Sequence, residues 1–357
     1  MRIGPVAENV RDRVALLLQL GPRPLLETHA SLLLAQTLMV ATKVGVFESL
    51  AGGALEPAKV ASRCGTDERA TAKLLSVLAT TGYVRAASGK RYALTADARR
   101  WLLGDGARSL RDNVLFRFVE WDWIGRLEAF VISGKPLDIH AEMSEGQWEA
   151  YQRGMRSLAG AVGREAALRT PIPRGARAML DVGGSHGFFS VLLCRRHPEL
   201  RAQVLDLPSA VAQAAPILAR EGAGDRVVHR VGDARTDDFG VETFDVVFMS
   251  NLVHHLDEVS SRDMIRRAAR SLRPSGLLVI QEFFAPPSVR AGGQAGALAD
   301  LYFALTSESG TQSFEGLAAW QREAGLTPRR PIRFLSFPGA GQQNAKKPRS
   351  ARFPDRA

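Results

Sequence analysis

The 357-residue chain is poor in cysteine: Cys64 and Cys194 stand far apart. That excludes a disulfide framework and a cysteine-rich zinc site, and it points to a reducing, cytoplasmic setting. No apolar run approaches the roughly 20 residues that span a bilayer, so no membrane role is expected. The apolar run at 14–20 is short and has no small-residue cleavage site, which argues against a secretory signal. The Gly-Lys-Ser/Thr ending of a P-loop is missing. The dinucleotide fingerprint G-x-G-x-x-G also fails, because counting from Gly183 places Ser185 and Phe188 where glycines belong. No carboxylate or cysteine cluster accompanies the histidines, so no metal is assigned. Internal repeats are absent as well.

What is present describes a globular protein: 45% hydrophobic and 24% charged residues, with a length suited to two domains. The formal charge of +10 raises nucleic acid as a partner. Part of that excess is terminal, as Lys346, Lys347, Arg349, Arg352 and Arg356 against Asp355. The rest is spread over helix faces, so no nucleic-acid partner is assigned.

Taken in order, residues 1–22 carry a short amphipathic run. Residues 25–50 read as one long apolar helix, with Leu32, Leu33, Leu38, Met39 and Val46 at helical spacing. A helix apolar on more than one face wants a second partner, here a second subunit. A short helix opened by Pro57 ends at Gly65, and Asp67 caps a second helix closed by Gly82. A hairpin turning at Ser88-Gly89 follows. Helix, turn, helix and hairpin make a winged helix. Its second helix presents Glu68, Arg69, Thr71 and Lys73, a mixed-sign face that suits packing better than DNA reading. Residues 108–170 look helical and aromatic, with Phe116, Trp123, Trp148 and Tyr151 among the rings that build a core or wall an apolar pocket. Thr170-Pro-Ile-Pro-Arg-Gly175 reads as a linker.

Strands then alternate with helices. Strands are expected at 177–182, 202–206, 226–231, 244–250, 276–283 and 329–335, and helices at 187–197, 209–221, 260–273 and 314–324. Continuous apolar runs such as Phe244-Asp-Val-Val-Phe-Met249 fit an α/β sheet covered on both faces. Ala178-Met-Leu-Asp-Val-Gly-Gly-Ser-His-Gly187 is its first strand and turn, with Asp181 at the strand end and Gly183, Gly184 and Gly187 where backbone must turn or approach a ligand. Asp206 and Asp233 end the next two strands. Each alone fits turn formation or capping. Together in one sheet they favour a site for an adenosine, with Asp206 about where a ribose-binding acid is expected.

Leu180-Asp-Val-Gly-Gly-x-x-Gly187, Leu205-Asp-Leu-Pro208, Gly232-Asp233, the strand at 244–249 with His254, and Leu272-x-Pro-x-Gly276 before a strand reaching Glu282 resemble S-adenosylmethionine-dependent O-methyltransferases of the two-domain type. The resemblance covers about residues 25–345. It implies a class I methyltransferase Rossmann-like sheet and an N-terminal, mostly helical winged-helix domain that forms a homodimer. The implied layout is a dimerisation domain at 1–107, a helical region lining the substrate pocket at 108–175, a donor-binding domain at 176–345 and a basic disordered tail at 346–357. The implied cofactor is S-adenosylmethionine, with Gly183 under its methionine moiety, Asp206 on the ribose and Asp233 on the adenine. Leu207, Ala234 and Ser250 complete that set.

A hydroxyl becomes a nucleophile when a base of near-neutral pKa removes its proton. By the resemblance the base is His254, five positions past the strand-end Met249, oriented by Glu282. His255 stands where the family usually has Asp, and Thr311 where it has a second acid. That departure leaves open a carbon or nitrogen acceptor or a non-methylating reaction, and His254 also has a purely structural reading. Ser185-His186 puts side chains into a turn usually bare, facing either a ligand carboxylate or solvent. Phe116, Trp123, Met155 and Phe303 are the implied pocket residues for a small aromatic or polyketide-like acceptor. A winged-helix regulator with a sensory domain is the alternative of another class.

Overall fold

The computed structural model describes residues 4, 6–7, 9–104, 106 and 108–349. The chain divides into two units, Met1–Phe118 and Val119–Ala357.

The first unit opens with α1 (Val10–Leu17), α2 (Arg23–Leu25) and a π-helical turn, Leu26–Ala30, that runs into α3 (Ser31–Lys43). The single helix expected at 25–50 is therefore broken. Gly45 takes the left-handed conformation, φ 83°, which a glycine adopts without steric cost, and the chain restarts as α4 (Val46–Ser49). Next come α5 (Pro57–Cys64) and α6 (Glu68–Thr80). Gly65 and Gly82, with φ 65° and 79°, end them, and the Asp67 carboxylate accepts the Ala70 N–H at 2.8 Å. The hairpin β1 (Val84–Ala87) and β2 (Arg91–Leu94) pairs Val84 with Leu94, so the winged-helix pattern is present. α7 (Ala96–Trp101) follows. Phe47, Leu50, Leu75 and Leu78 are fully buried at the centre of this unit. Leu32, Leu33 and Leu34 on α3 stay exposed.

The unit boundary falls inside α8 (Arg111–Ile124), between Phe118 and Val119, and not at residue 107. The helical region expected at 108–175 is thus divided. Its larger part stays with the sheet as α9 (Leu127–Ser133), α10 (Ile139–Glu142) and the 25-residue α11 (Glu145–Arg169). α11 starts on a capping box: Ser144 Oγ accepts from Gln147 N, and Gln147 Oε1 accepts from Ser144 N at 2.9 Å.

The sheet alternates with helices as β3 (Ala178–Val182), α12 (Phe188–Arg196), β4 (Arg201–Asp206), α13 (Pro208–Arg220), β5 (Val227–Val231), β6 (Phe244–Ser250), α14 (Glu258–Ser271), β7 (Leu272–Phe283), α15 (Val289–Thr306), α16 (Phe314–Glu323), β8 (Thr327–Pro328), β9 (Ile332–Arg333) and β10 (Ala340–Lys346). The strand order is β5-β4-β3-β6-β7-β10-β8, with β9 also on β10. Pairings from β5 through β7 are parallel, and β10 runs antiparallel to β7. The chain leaves β3 in one direction for β4 and β5 and in the other for β6 and β7. Ligands bind in the crevice that such a reversal opens at the strands' carboxyl ends. Met179, Leu180, Val204, Val247 and Ile280 fill the core on the two faces.

Two expectations at the C-terminal end need correction. The strand expected at 329–335 shrinks to Ile332–Arg333, while β10, which carries no apolar run, is a fully formed strand. Gln342, Gln343 and Asn344 are buried there. Gln342 Nε2 donates to Thr170 Oγ1 at 2.8 Å and to Gln281 Oε1 at 3.1 Å, and Gln321 Nε2 donates to the Gln343 carbonyl at 3.0 Å. Polar side chains so paired can replace apolar ones in a core. The disordered tail expected from 346 is not disordered at its start: Lys346 closes β10, and the buried Lys347 ammonium donates to the Leu272 carbonyl at 2.6 Å. Residues 350–357 lie outside the described residues.

Candidate active site

The turn after β3 is built from left-handed backbone. Gly183, Ser185 and Gly187 have φ 64°, 52° and 67°. A Cβ on Gly183 would come 2.8 Å from Leu252 Cδ1, and one on Gly184 would come 2.5 Å from Asp181 Cγ. The glycines are therefore required by the fold itself before any ligand arrives. Asp181 is buried, accepts the Ser190 hydroxyl at 2.5 Å through Oδ2, and leaves Oδ1 without a partner. Burial pushes its pKa up to about 7, the Ser190 hydrogen bond opposes that, and the nearby Asp206 charge adds to it. Asp181, Gly184 and Gly187 thus support the turn from behind rather than line an opening. His186 faces neither solvent nor the cavity beside this turn. It is buried, its Nδ1 accepts the Phe188 N–H at 3.1 Å, and its ring bonds the Met155 carbonyl. Burial, then the Arg156 charge, lower its pKa to about 3.

Beside this turn lies a cavity of about 580 Å³ at the carboxyl ends of the strands. Gly183, Asp206, Leu207, Asp233 and Ala234 stand in its wall, as the sequence suggested. Asp206 Oδ2 accepts the Ser185 N–H at 2.7 Å and Oδ1 accepts the Leu207 N–H at 2.8 Å. One lone pair on each oxygen is then left for a pair of hydroxyls. Asp233 is gripped by Arg235, whose Nη2 lies 2.7 Å from Oδ2 and whose backbone N–H donates to Oδ1 at 2.9 Å. Those hydrogen bonds, opposed by partial burial, keep the Asp233 carboxyl below its ordinary pKa. Ser250 stands outside the wall and Asn251 within it; Ser250 Oγ accepts from Gln281 Nε2 at 3.0 Å. The residues present fit an adenosyl donor. A bare Gly183 and an acceptor carboxylate with free lone pairs share one cavity of suitable size.

His254 lies on a short 3-10 turn, Val253–His255, after β6. Its Nδ1 is 2.7 Å from Glu282 Oε2 at the end of β7, and both side chains are buried. Glu282 Oε1 accepts the Leu252 and Val253 N–H groups at 2.8 Å each. One carboxylate thereby fixes the turn and the ring on it. With Nδ1–H donating to Glu282, Nε2 carries the lone pair. Thr311 does not reach this pair; its hydroxyl bonds Asp300, so the ring is held by one acid. Glu308 is exposed in the cavity wall.

An aromatic and imidazole stack surrounds His254. Phe303 lies 4.7 Å from it and His255 4.1 Å, centroid to centroid. His140 follows 4.5 Å from His255 and stacks on Trp148 at 5.4 Å. Burial, then the His254 charge, push the His140 pKa down to about 4; the same two causes, with His140 itself, hold His255 well below its ordinary value. Both rings are thereby kept neutral beside His254. Of the four expected acceptor residues, Phe303 meets His254. Met155 is half-buried on α11, and its carbonyl holds His186. Trp123 is buried in the second unit and absent from the cavity wall, and Phe116 is buried in the first unit. His140, Gln152, Arg235 and Asn251 were missed. Each is a lone polar residue outside any motif, so the sequence carried no signal for them; Trp148 and Tyr151 were visible only as members of an aromatic run.

The O-methyltransferase domain family matches residues 126–325, and the O-methyltransferase dimerisation domain matches residues 26–104. The chain belongs to the O-methyltransferase family. This O-methyltransferase is 28% identical over 330 residues to 3-hydroxy-5-methyl-1-naphthoate 3-O-methyltransferase of Streptomyces sahachiroi, covering 89% of this chain and 93% of that one. It is 28% identical over 273 residues to 3-amino-4-hydroxybenzoate 4-O-methyltransferase of Streptomyces cremeus, covering 73% of each. Its fold matches that of human N-acetylserotonin methyltransferase solved in complex with SAM, with a TM-score of 0.80, 19% identity, and coverage of 96% of this chain and 99% of that one. Among the described residues no helix is long and apolar enough to cross a membrane, and no cluster of potential metal ligands occurs.

Proposed function

We propose that this O-methyltransferase moves the methyl group of S-adenosylmethionine to a hydroxyl of a small aromatic or polyketide-like metabolite, with His254 as general base. The observation that carries the reading is the His254–Glu282 pair at the carboxyl end of the parallel sheet. Its neighbours among O-methyltransferases act, by name, on a naphthoate and a hydroxybenzoate, which supports a flat aromatic acceptor. The bound donor supplies an electrophilic methyl on a sulfonium. Asp206 accepts from the ribose hydroxyls, Gly183 gives room at the methionine end, and Leu207, Asp233 and Ala234 border the adenine. His254 Nε2 takes the acceptor's hydroxyl proton. Glu282 keeps Nδ1–H in place and balances the imidazolium that forms. The donor, when bound, would give up its methyl to the deprotonated oxygen and leave as the neutral thioether, and the site would contribute mainly by holding the two close together. Phe303 and the neutral His255 and His140 exclude water and give flat surfaces for a ring.

The dimerisation-domain match and the exposed leucines of α3 support a homodimer. Free Cys64 and Cys194 fit a cytoplasmic enzyme. A screen of hydroxylated aromatics with methyl-labelled donor, read by mass, tests the reading; no labelled product from any phenol, with the donor bound, would sink it.

A further inference from the structure

We propose that Gln152 is a ligand-binding residue whose carboxamide N–H donates to the ribose hydroxyl oxygens of the adenosyl donor, the same hydroxyls whose protons Asp206 accepts. The inference rests on the donor reading above and adds a residue to it. Gln152 sits in the second turn of α11 and is 1% exposed, yet it stands in the cavity wall with Tyr151, Ser185 and Asp206. Its Nε2 has no hydrogen-bond partner among the described residues. A buried amide nitrogen left unpaired is rare and costly, and native structures keep one where a ligand or water satisfies it.

The other end of the carboxamide is fixed. The Ser185 hydroxyl donates to Gln152 Oε1, and Nε2 lies on the other side of the amide. The Ser185 backbone N–H donates to Asp206 Oδ2 at 2.7 Å. Ser185 holds φ 52°, a conformation that residues other than glycine seldom adopt, and it couples both groups from that position. A vicinal diol needs acceptors for its two protons and donors for its oxygen lone pairs. Asp206 supplies only acceptors. Gln152 Nε2 supplies the donor, next to it and already oriented.

Titration calorimetry with S-adenosylhomocysteine and with 5′-methylthioadenosine, which keeps the ribose and lacks the carboxylate, tests this. The proteins are the parent, Gln152→Met, which keeps the volume and removes the polar atoms, and Gln152→Glu, which swaps donor for acceptor. Gln152→Met is expected to weaken both ligands by about tenfold, and Gln152→Glu by more. Tm of the substituted proteins stays close to the parent's, because the parent amide is already half unpaired. Unchanged affinity for both ligands overturns the proposal, and so does a loss confined to S-adenosylhomocysteine, which would put the acceptor on the amino-acid end. A parent protein that binds neither ligand would instead overturn the donor reading itself.

Discussion

Glu282 binds His254 and the turn that carries it at once: Oε2 lies 2.7 Å from Nδ1, while Oε1 takes two consecutive backbone N–H groups. The ring's position and its tautomer are therefore set by the same side chain. Orientation of a base by a buried carboxylate is what proton abstraction from a bound hydroxyl requires.

Replacing the proposed base separates chemistry from binding. His254→Ala is expected to lower kcat by about 10²- to 10⁴-fold while leaving S-adenosylhomocysteine affinity within about twofold. Steady-state kinetics and calorimetry on one preparation check this. Turnover that survives the substitution would remove His254 from the mechanism.

Glu282→Gln is expected to act through the ring. An amide can present its oxygen to the Leu252 and Val253 N–H groups only by turning its NH₂ toward Nδ1, which reverses the tautomer. A fall in kcat of about tenfold or more, with the acceptor KM little changed, is the expected signature. An unaltered kcat would show that Glu282 serves the turn alone.

Asp181 makes stability depend on pH with a definite sign. Its carboxyl is raised from 3.8 to about 7, so the folded state holds a proton that the unfolded chain has already released. The contribution is fully present below about pH 4 and is lost as pH rises through 7. Asp181→Asn should therefore gain in Tm over the parent as pH goes from 4 to 8. His186, lowered to about 3, works in the opposite direction over pH 3 to 6.5, and the difference between Asp181→Asn and the parent cancels it. A Tm difference that does not change with pH would count against the proton on Asp181.

The turn should reject even one methyl group. Gly184→Ala places a Cβ 2.5 Å from the Asp181 carboxyl carbon, beneath a carboxylate pinned by Ser190. A loss of about 1–3 kcal/mol is expected from such overpacking. Chemical denaturation measures it, and a neutral result would mean that Asp181 moves freely.

Gln342→Leu tests the polar strand. It removes the donor shared by Thr170 Oγ1 and Gln281 Oε1 and leaves both acceptors buried. A loss of about 1–3 kcal/mol is expected. A Tm equal to or above the parent's would show that the network adds nothing to stability.

Much of this protein was legible because its parallel strands are apolar runs separated by acids and glycines. β3, β4, β5 and β6 fall within a residue of their expected bounds for that reason. β10 was not legible, because its stability comes from amide pairs with Thr170, Gln281 and Gln321, residues remote in sequence whose pairing only the fold creates. The break at Gly45 was hidden by the even apolar spacing on either side of it. In the site, Asp206, Asp233, His254 and Glu282 were visible because each ends or follows a strand. Gln152, His140 and Arg235 face the cavity through helix and loop geometry, which leaves no local pattern. Asp181 was read correctly as a strand-end acid, but its side chain turns inward to Ser190, and sequence alone does not distinguish inward from outward.

The position of β10 has a consequence for biogenesis. Among the described strands β10 is the last in sequence, yet in space it sits between β7 and β8. Until it arrives, β7 presents an open row of amide and carbonyl groups, and β8 has no neighbour in the sheet. The final layer of the domain therefore assembles by insertion rather than by end-on growth. A chain stalled before residue 340 would carry an unprotected edge able to recruit another nascent copy.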